Sequence, residues 1–161
     1  MIEKFIQNVD RLSKTLAVIS VLLLVAAMLV VCQLIFIRYV FRSPTIWHTD
    51  FVVYAATASI FLGAPYVLLT KGHVGVDVID MLLSAPTKRR LHIIGGFAGL
   101  AFCFGMFIAS TIYFTEALEG GWDTPGVWKI PLWIPTLPMP LGFGLLSLQY
   151  IAELLKLRTG P

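Results

Sequence analysis

The residues that could carry acid–base, metal or nucleophilic chemistry are few, and their spacing does not gather them. The three histidines, His48, His73 and His92, fall in predicted loops or at predicted helix ends. A membrane cytochrome would need imidazoles inside its bundle to ligate haem iron, so that chemistry is not expected. No HExxH, no glycine-rich phosphate loop and no Ser, His and Asp constellation is present. Cys32 and Cys103 lie deep in separate apolar stretches with no CxxC pair, where free cysteines behave as small apolar fillers. No enzyme, metal or cofactor is expected in this chain, and no nucleic-acid partner.

The elements that would have to position such residues explain their scarcity. Four stretches, 16–37, 51–70, 93–115 and 130–152, contain no Asp, Glu, Lys, Arg or His. About 20 apolar residues in a helix cross a bilayer core of ~30 Å. The expected fold is therefore all-α and integral to the membrane. It has four transmembrane helices, about 16–37, 51–70, 93–115 and 132–155, in a single membrane domain spanning 1–161. A chain that is 58% hydrophobic has no room left for a soluble domain. Ion pathways and charged-substrate sites in membranes are usually marked by interior ionisable residues. The interior polar candidates are Gln33, Thr57, Ser59, Ser110, Thr111, Ser147, Gln149 and some tyrosines. A supporting subunit fits this pattern better than a conduit.

Charge sidedness orients the spans. Lys4, Arg11, Lys14, Lys71, Lys88, Arg89, Arg90, Lys156 and Arg158 fall on one side, against Arg38, Arg42 and Lys129 on the other, nine to three. The positive-inside rule then puts both termini in the cytoplasm and the first and third loops outside. A signal peptide is the competing reading of the first span. The 22-residue run is too long for it and ends in Arg38-Tyr39-Val40-Phe41 rather than at a small-residue cleavage site.

Residues 1–15 place Ile2, Phe5, Ile6, Val9 and Leu12 or Ser13 at helical spacing, which predicts an amphipathic lead-in along the inner interface or else a frayed terminus. Ser43-Pro44 turns the first loop, and Tyr39, Phe41 and Trp47 sit at the depth of an interfacial aromatic belt. Between the second and third spans, Asp77, Asp80 and Ser84 form a polar stripe on the apolar run 74–83. That is the pattern of an amphipathic helix lying in the membrane plane. Gly95 and Gly99 make a GxxxG that permits close helix approach. Prolines at 125, 131, 135, 138 and 140 predict a broken start to the fourth span, covered by protein rather than lipid.

Taken in order, these residues resemble a known family. The run Arg38-Tyr39-Val40-Phe41, then Pro44, Trp47 and Asp50, Phe61-Leu62-Gly63-Ala64, Lys71-Gly72-His73-Val74 and Val76-Asp77 is similar to the small membrane subunit of tripartite ATP-independent periplasmic (TRAP) transporters, the DctQ-like proteins. Thr124-Pro125, Ile130-Pro131-Leu132-Trp133 and Leu137-Pro138-Met139-Pro140-Leu141-Gly142-Phe143 resemble the family's last loop and its entry into the fourth helix. The likeness covers about residues 5–157. Thr49 stands where the family often has an acid, and Asp50 is shorter than the usual Glu.

The resemblance implies a scaffold subunit that braces a large multi-helix permease. A soluble periplasmic binding protein would deliver an organic acid or related solute, and a sodium gradient would drive uptake, with sodium held in the large subunit. Two surfaces are then expected to matter. On the periplasmic face, Arg38, Arg42, Trp47, Asp50 and Trp133 would contact partners. On the cytoplasmic face, Lys71, His73, Asp77 and Asp80 would fix the in-plane helix among the membrane lipids. Gly63, Gly95 and Gly99 are candidate packing positions. The alternatives are the small subunit of a tripartite tricarboxylate transporter and an independent four-helix transporter.

Overall fold

The computed structural model describes residues 2–70, 85–126 and 128–159. The predicted in-plane helix 74–83, with Lys71, His73, Asp77 and Asp80, lies outside the described residues. Among the described residues the regular elements are all helical, and the loops contain one isolated antiparallel bridge between Asp123 and Pro131. In chain order the helices are α1 (Ile2–Phe36), which passes into a π-helical turn (Ile37–Phe41), α2 (His48–Leu69), α3 (Ala85–Glu119), the single turn α4 (Trp133–Thr136) and α5 (Pro138–Thr159).

α1 departs from the expected lead-in followed by a separate span. It runs unbroken for 35 residues, roughly 52 Å at 1.5 Å per residue. Two causes are visible. No Gly or Pro interrupts residues 2–36, and its first turns are tied to α5 by Asp10 and Ser13. The chain leaves this helix through the π turn, which Arg42 closes in the left-handed region (φ 49°).

Three helical segments are long and apolar enough to cross a membrane: Glu3–Phe41, His48–Leu69 and Arg90–Glu119. The expected fourth span is divided instead. Pro131, Pro135, Pro138 and Pro140 leave a one-turn α4 before α5 begins. α5 also carries Gln149, Glu153 and Lys156 among its apolar residues.

The distribution of side chains is the reverse of a water-soluble bundle. The buried positions are small or polar, among them Ser20, Ala27, Ala55, Ser59, Cys103, Ser110, Ala117, Ser147 and Ala152. Leu, Val, Ile and Phe side chains along α1 and α3 point outward, as with Leu22 at 62% exposure. In a bilayer, lipid tails satisfy such side chains, and helices associate through small residues and close packing. α1 packs mainly on α2, α5 lies against α2, and α3 is held by α5 and α4.

Each contact has a small-residue device. On α2, Ala55, Ser59 and the mostly covered Gly63 recur every four residues. Ser20 of α1 enters this face, donating to the Ser59 carbonyl at 2.7 Å and lying 3.0 Å from its hydroxyl. Where α5 crosses α2, a Cβ on the buried Gly142 would stand 2.6 Å from the Phe61 carbonyl oxygen. Only glycine fits that backbone approach. The Phe61 and Phe143 rings meet beside it at a tilt of 60°, with centroids 5.3 Å apart. On the α3–α5 side, Phe107 packs against Gly144 of α5.

Candidate functional site

The loop end of the bundle gathers most of the predicted partner-facing residues. Arg38, in the π turn, donates from Nε to Thr45 Oγ1 at 3.0 Å, which folds the first loop back on itself. Arg42 is exposed and follows directly. Trp47 precedes α2 and stacks on His48, with centroids 4.1 Å apart and planes 22° apart. Its edges meet Phe51 at 6.1 Å and Trp128 at 6.2 Å. Asp50 occupies the first turn of α2, where a carboxylate is favoured by the helix dipole. Its Oδ2 presses so closely on Gly126 that a Cβ there would stand 2.5 Å away. The first and third loops thus form one surface, joined by Trp47 with Trp128 and Asp50 with Gly126.

The third loop is itself a built object. The Thr124 amide donates to the Ile130 carbonyl at 2.9 Å, and the Leu132 amide to the Trp122 carbonyl at 2.7 Å. Thr124, which is buried, donates from Oγ1 to the Trp128 carbonyl and accepts from the Ile130 amide. Gly121 turns the chain out of α3 with φ 59°, a conformation glycine adopts without penalty. Trp133 starts α4, half-buried, and its carbonyl accepts from Leu137. Trp133 is therefore set into the broken helix start, apart from the Trp47–Trp128 pair.

His48 was not among the residues singled out from sequence. It is 6% exposed, and neither ring nitrogen has a hydrogen-bond partner among the described residues. Its position at a helix start next to Trp47 was readable; its burial beneath a Trp47 ring that Trp128 meets edge-on was not.

The opposite end of the bundle holds a polar knot that sequence reasoning also missed. Ser13 donates to Gln149 Oε1 at 2.8 Å. The Gln149 amide nitrogen donates to Asp10 Oδ1 at 3.0 Å and to Glu153 Oε1 at 3.3 Å. Lys156 Nζ reaches both Asp10 oxygens, at 3.1 and 3.0 Å, and Glu153 Oε1 at 2.7 Å. Gln149 is fully buried, and its partners satisfy both ends of its amide. Burial disfavours the Lys156 ammonium, but the hydrogen bonds it donates to Glu153 and Asp10, with their charges, more than offset this and raise its pKa above the ordinary lysine value. The signal lay in spacing: Gln149, Glu153 and Lys156 share one face of α5 at intervals of four and three.

The remaining predicted positions separate. Gly63 meets Ser20 of α1, whose Oγ would stand 2.8 Å from an added Cβ. Gly99 receives the Tyr150 ring of α5. Gly95 faces open space, and its neighbour Gly96 takes Leu154 instead. The packing pair on α3 is thus Gly96 and Gly99. Gln33 is exposed. Cys32 is exposed, Cys103 buried, and both are free.

Among the described residues no group of three or more His, Cys, Asp or Glu could hold a metal ion. The model of the family described as tripartite ATP-independent periplasmic transporters, DctQ component, matches residues 27–160. The chain belongs to the DctQ family. Its relatives are subunits of transporters, not enzymes, and with three long apolar helices it is a multi-pass membrane protein.

Three curated DctQ relatives resemble it, each described as a C4-dicarboxylate TRAP transporter small permease protein. That of Pseudomonas aeruginosa is 31% identical over 100 residues, covering 61% of this chain and 48% of the relative. That of Vibrio cholerae serotype O1 is 23% identical over 147 residues, covering 78% and 63%. That of Rhodobacter capsulatus is 26% identical over 106 residues, covering 66% and 46%. The chain thus spans about half to three-fifths of the length of these relatives. No solved structure matches it.

Proposed function

We propose that this DctQ-family chain is the small permease subunit of a TRAP transporter, bracing a large permease that takes up a C4-dicarboxylate or related organic acid. The observation that carries this reading is the family match over residues 27–160. The C4-dicarboxylate assignment follows the descriptions of its relatives. Interior chemistry supports the same role. The spans are closed by small residues, serine hydroxyls and aromatic rings, and among the described residues no charge is buried at mid-membrane to move an ion or an acid. Solute and sodium sites then belong to the larger partner.

In this reading the stretch 132–155 is a fourth span, both termini face the cytoplasm by the nine-to-three charge bias, and the loop end faces the periplasm. There the surface of Arg38, Arg42, Trp47 and Asp50 braces the permease and supports docking of the binding protein. The motivating geometry is the joint closure of the first and third loops, which offers partners one rigid surface rather than two mobile loops.

The deciding experiment expresses the chain with a tag in its native membrane, solubilises it gently and identifies what remains bound through size exclusion by mass spectrometry. A stoichiometric large permease is expected. A monodisperse chain with no partner overturns the reading. With the permease in hand, Arg42→Glu should weaken binding-protein docking and sodium-driven C4-dicarboxylate uptake while leaving co-purification intact. Unchanged docking and uptake would remove Arg42 from the proposed surface.

A further inference from the structure

Between the amino-terminal half of α1 and the end of α2 runs an open groove of about 410 Å³, lined by Lys14, Ala17, Val18, Val21, Leu22 and Tyr66. Its chemistry is divided along its length. Lys14 stands at one end, two residues before the uncharged run that begins at Leu16. The floor beyond it is aliphatic, with the Tyr66 ring on the α2 side. Arg11, exposed and one turn earlier on α1, adds a second positive charge at the same end. Among the described residues no carboxylate engages either cation.

The dimensions fit one class of molecule. From Lys14 to Leu22 the helix advances roughly 12 Å, close to the roughly 15 Å of hydrocarbon in one leaflet. A cation at the membrane boundary above an apolar trough one leaflet deep complements a phosphate headgroup carried on an acyl chain. Basic pockets between membrane helices bind anionic lipid headgroups in this way, and a lysine stem reaches the boundary while its methylenes cover apolar surface. We propose that this groove is a binding site for an anionic phospholipid, with Lys14 and Arg11 on the headgroup phosphate and one acyl chain lying along Ala17, Val18, Val21 and Leu22. The site is independent of the subunit role proposed above.

The test uses the full chain purified in detergent, with phosphatidylglycerol or phosphatidylcholine of identical acyl chains added, and counts retained lipid by native mass spectrometry. Phosphatidylglycerol should be retained preferentially. Lys14→Gln should lower its retention by about fivefold, the share of one basic residue near a lipid headgroup, and leave phosphatidylcholine unchanged. Lys14→Arg should restore it. Ala17→Phe, which fills the trough, should lower both lipids. Lys14 is exposed, so its variants report on binding even if Ala17→Phe fails to fold. Equal retention of the two lipids, or a Lys14→Gln chain that keeps phosphatidylglycerol fully, overturns the proposal. So does a Val18→Cys chain that cross-links to a co-purified permease through this groove with no lipid retained. That last result would leave the subunit role standing, whereas absence of any permease would leave the lipid ranking untouched.

Discussion

The two ends of this bundle solve the burial of polar groups differently. At the end where α1 begins and α5 finishes, Gln149 is completely buried yet bonded by Ser13, Asp10 and Glu153. At the other end His48 is almost as deeply buried, and neither ring nitrogen has a partner among the described residues. A satisfied polar network holds helices in one register, whereas an unpaired buried donor or acceptor costs about 1–3 kcal/mol. The contrast teaches that the first end is locked by the chain's own side chains. The second is held in place by ring stacking and by the third loop, against the cost of an unpaired imidazole.

Removing the centre of the knot should have the largest effect. Gln149→Leu takes away three hydrogen bonds and leaves Asp10, Glu153 and Ser13 facing an apolar group. A loss of about 2–3 kcal/mol is expected in reversible unfolding in mixed micelles. A loss below about 0.5 kcal/mol would mean that the knot is ornamental and the ends are alike. Lys156→Met leaves two carboxylates facing each other without their cation. Because the lysine side chain is 32% exposed, solvent screening limits the expected loss to about 1–2 kcal/mol, measured in the same way.

The opposite end predicts the opposite sign. His48→Phe keeps a ring on Trp47 and deletes both unpaired nitrogens, so thermal stability should stay level or rise by the equivalent of about 1 kcal/mol. A clear loss of Tm would show that the imidazole is bonded after all and erase the difference between the ends.

The smallest effect concerns alkaline pH. The folded state holds the Lys156 proton more tightly than the unfolded chain does. Its stabilising contribution is therefore complete below the ordinary lysine value near 10.5 and fades as pH rises through the higher folded value. Melting curves of the native chain and Lys156→Met should run parallel from pH 7 to about pH 10 and converge above it. Convergence at neutral pH would contradict the cause assigned to the shift.

Much of this architecture was legible in the sequence because a bilayer imposes so strong a filter. The uncharged stretches 16–37, 51–70 and 93–115 each match a long helix to within one residue at its end or fall inside it, and the proline cluster correctly foretells a broken entry to α5. What the sequence concealed depends on contacts between distant residues. Asp10 and Lys156 stand 146 positions apart, and no local pattern pairs them, so the first turns of α1 read as a separate interfacial piece. Within the chain, Tyr150 and Leu154 of α5 fill Gly99 and Gly96, whereas Gly95 faces open space. Spacing alone cannot say which of two adjacent glycines a neighbour will fill. His48 is hidden for the same reason: the Trp47 ring that stacks on it is itself met by Trp128, 80 residues from His48 in sequence.

The inverted distribution of side chains also separates two instructions that water-soluble proteins write with the same letters. Here Ser20, Ser59, Gly63, Gly99, Gly142 and Gln149 say how the helices fit one another, while Met28, Phe97, Phe102 and Ile112 say only that the surroundings are oily. The second set can in principle be rewritten without touching the first. Exchanging those outward aliphatic and aromatic residues for Glu, Lys and Gln would translate the bundle into an aqueous solvent with its internal joinery unaltered.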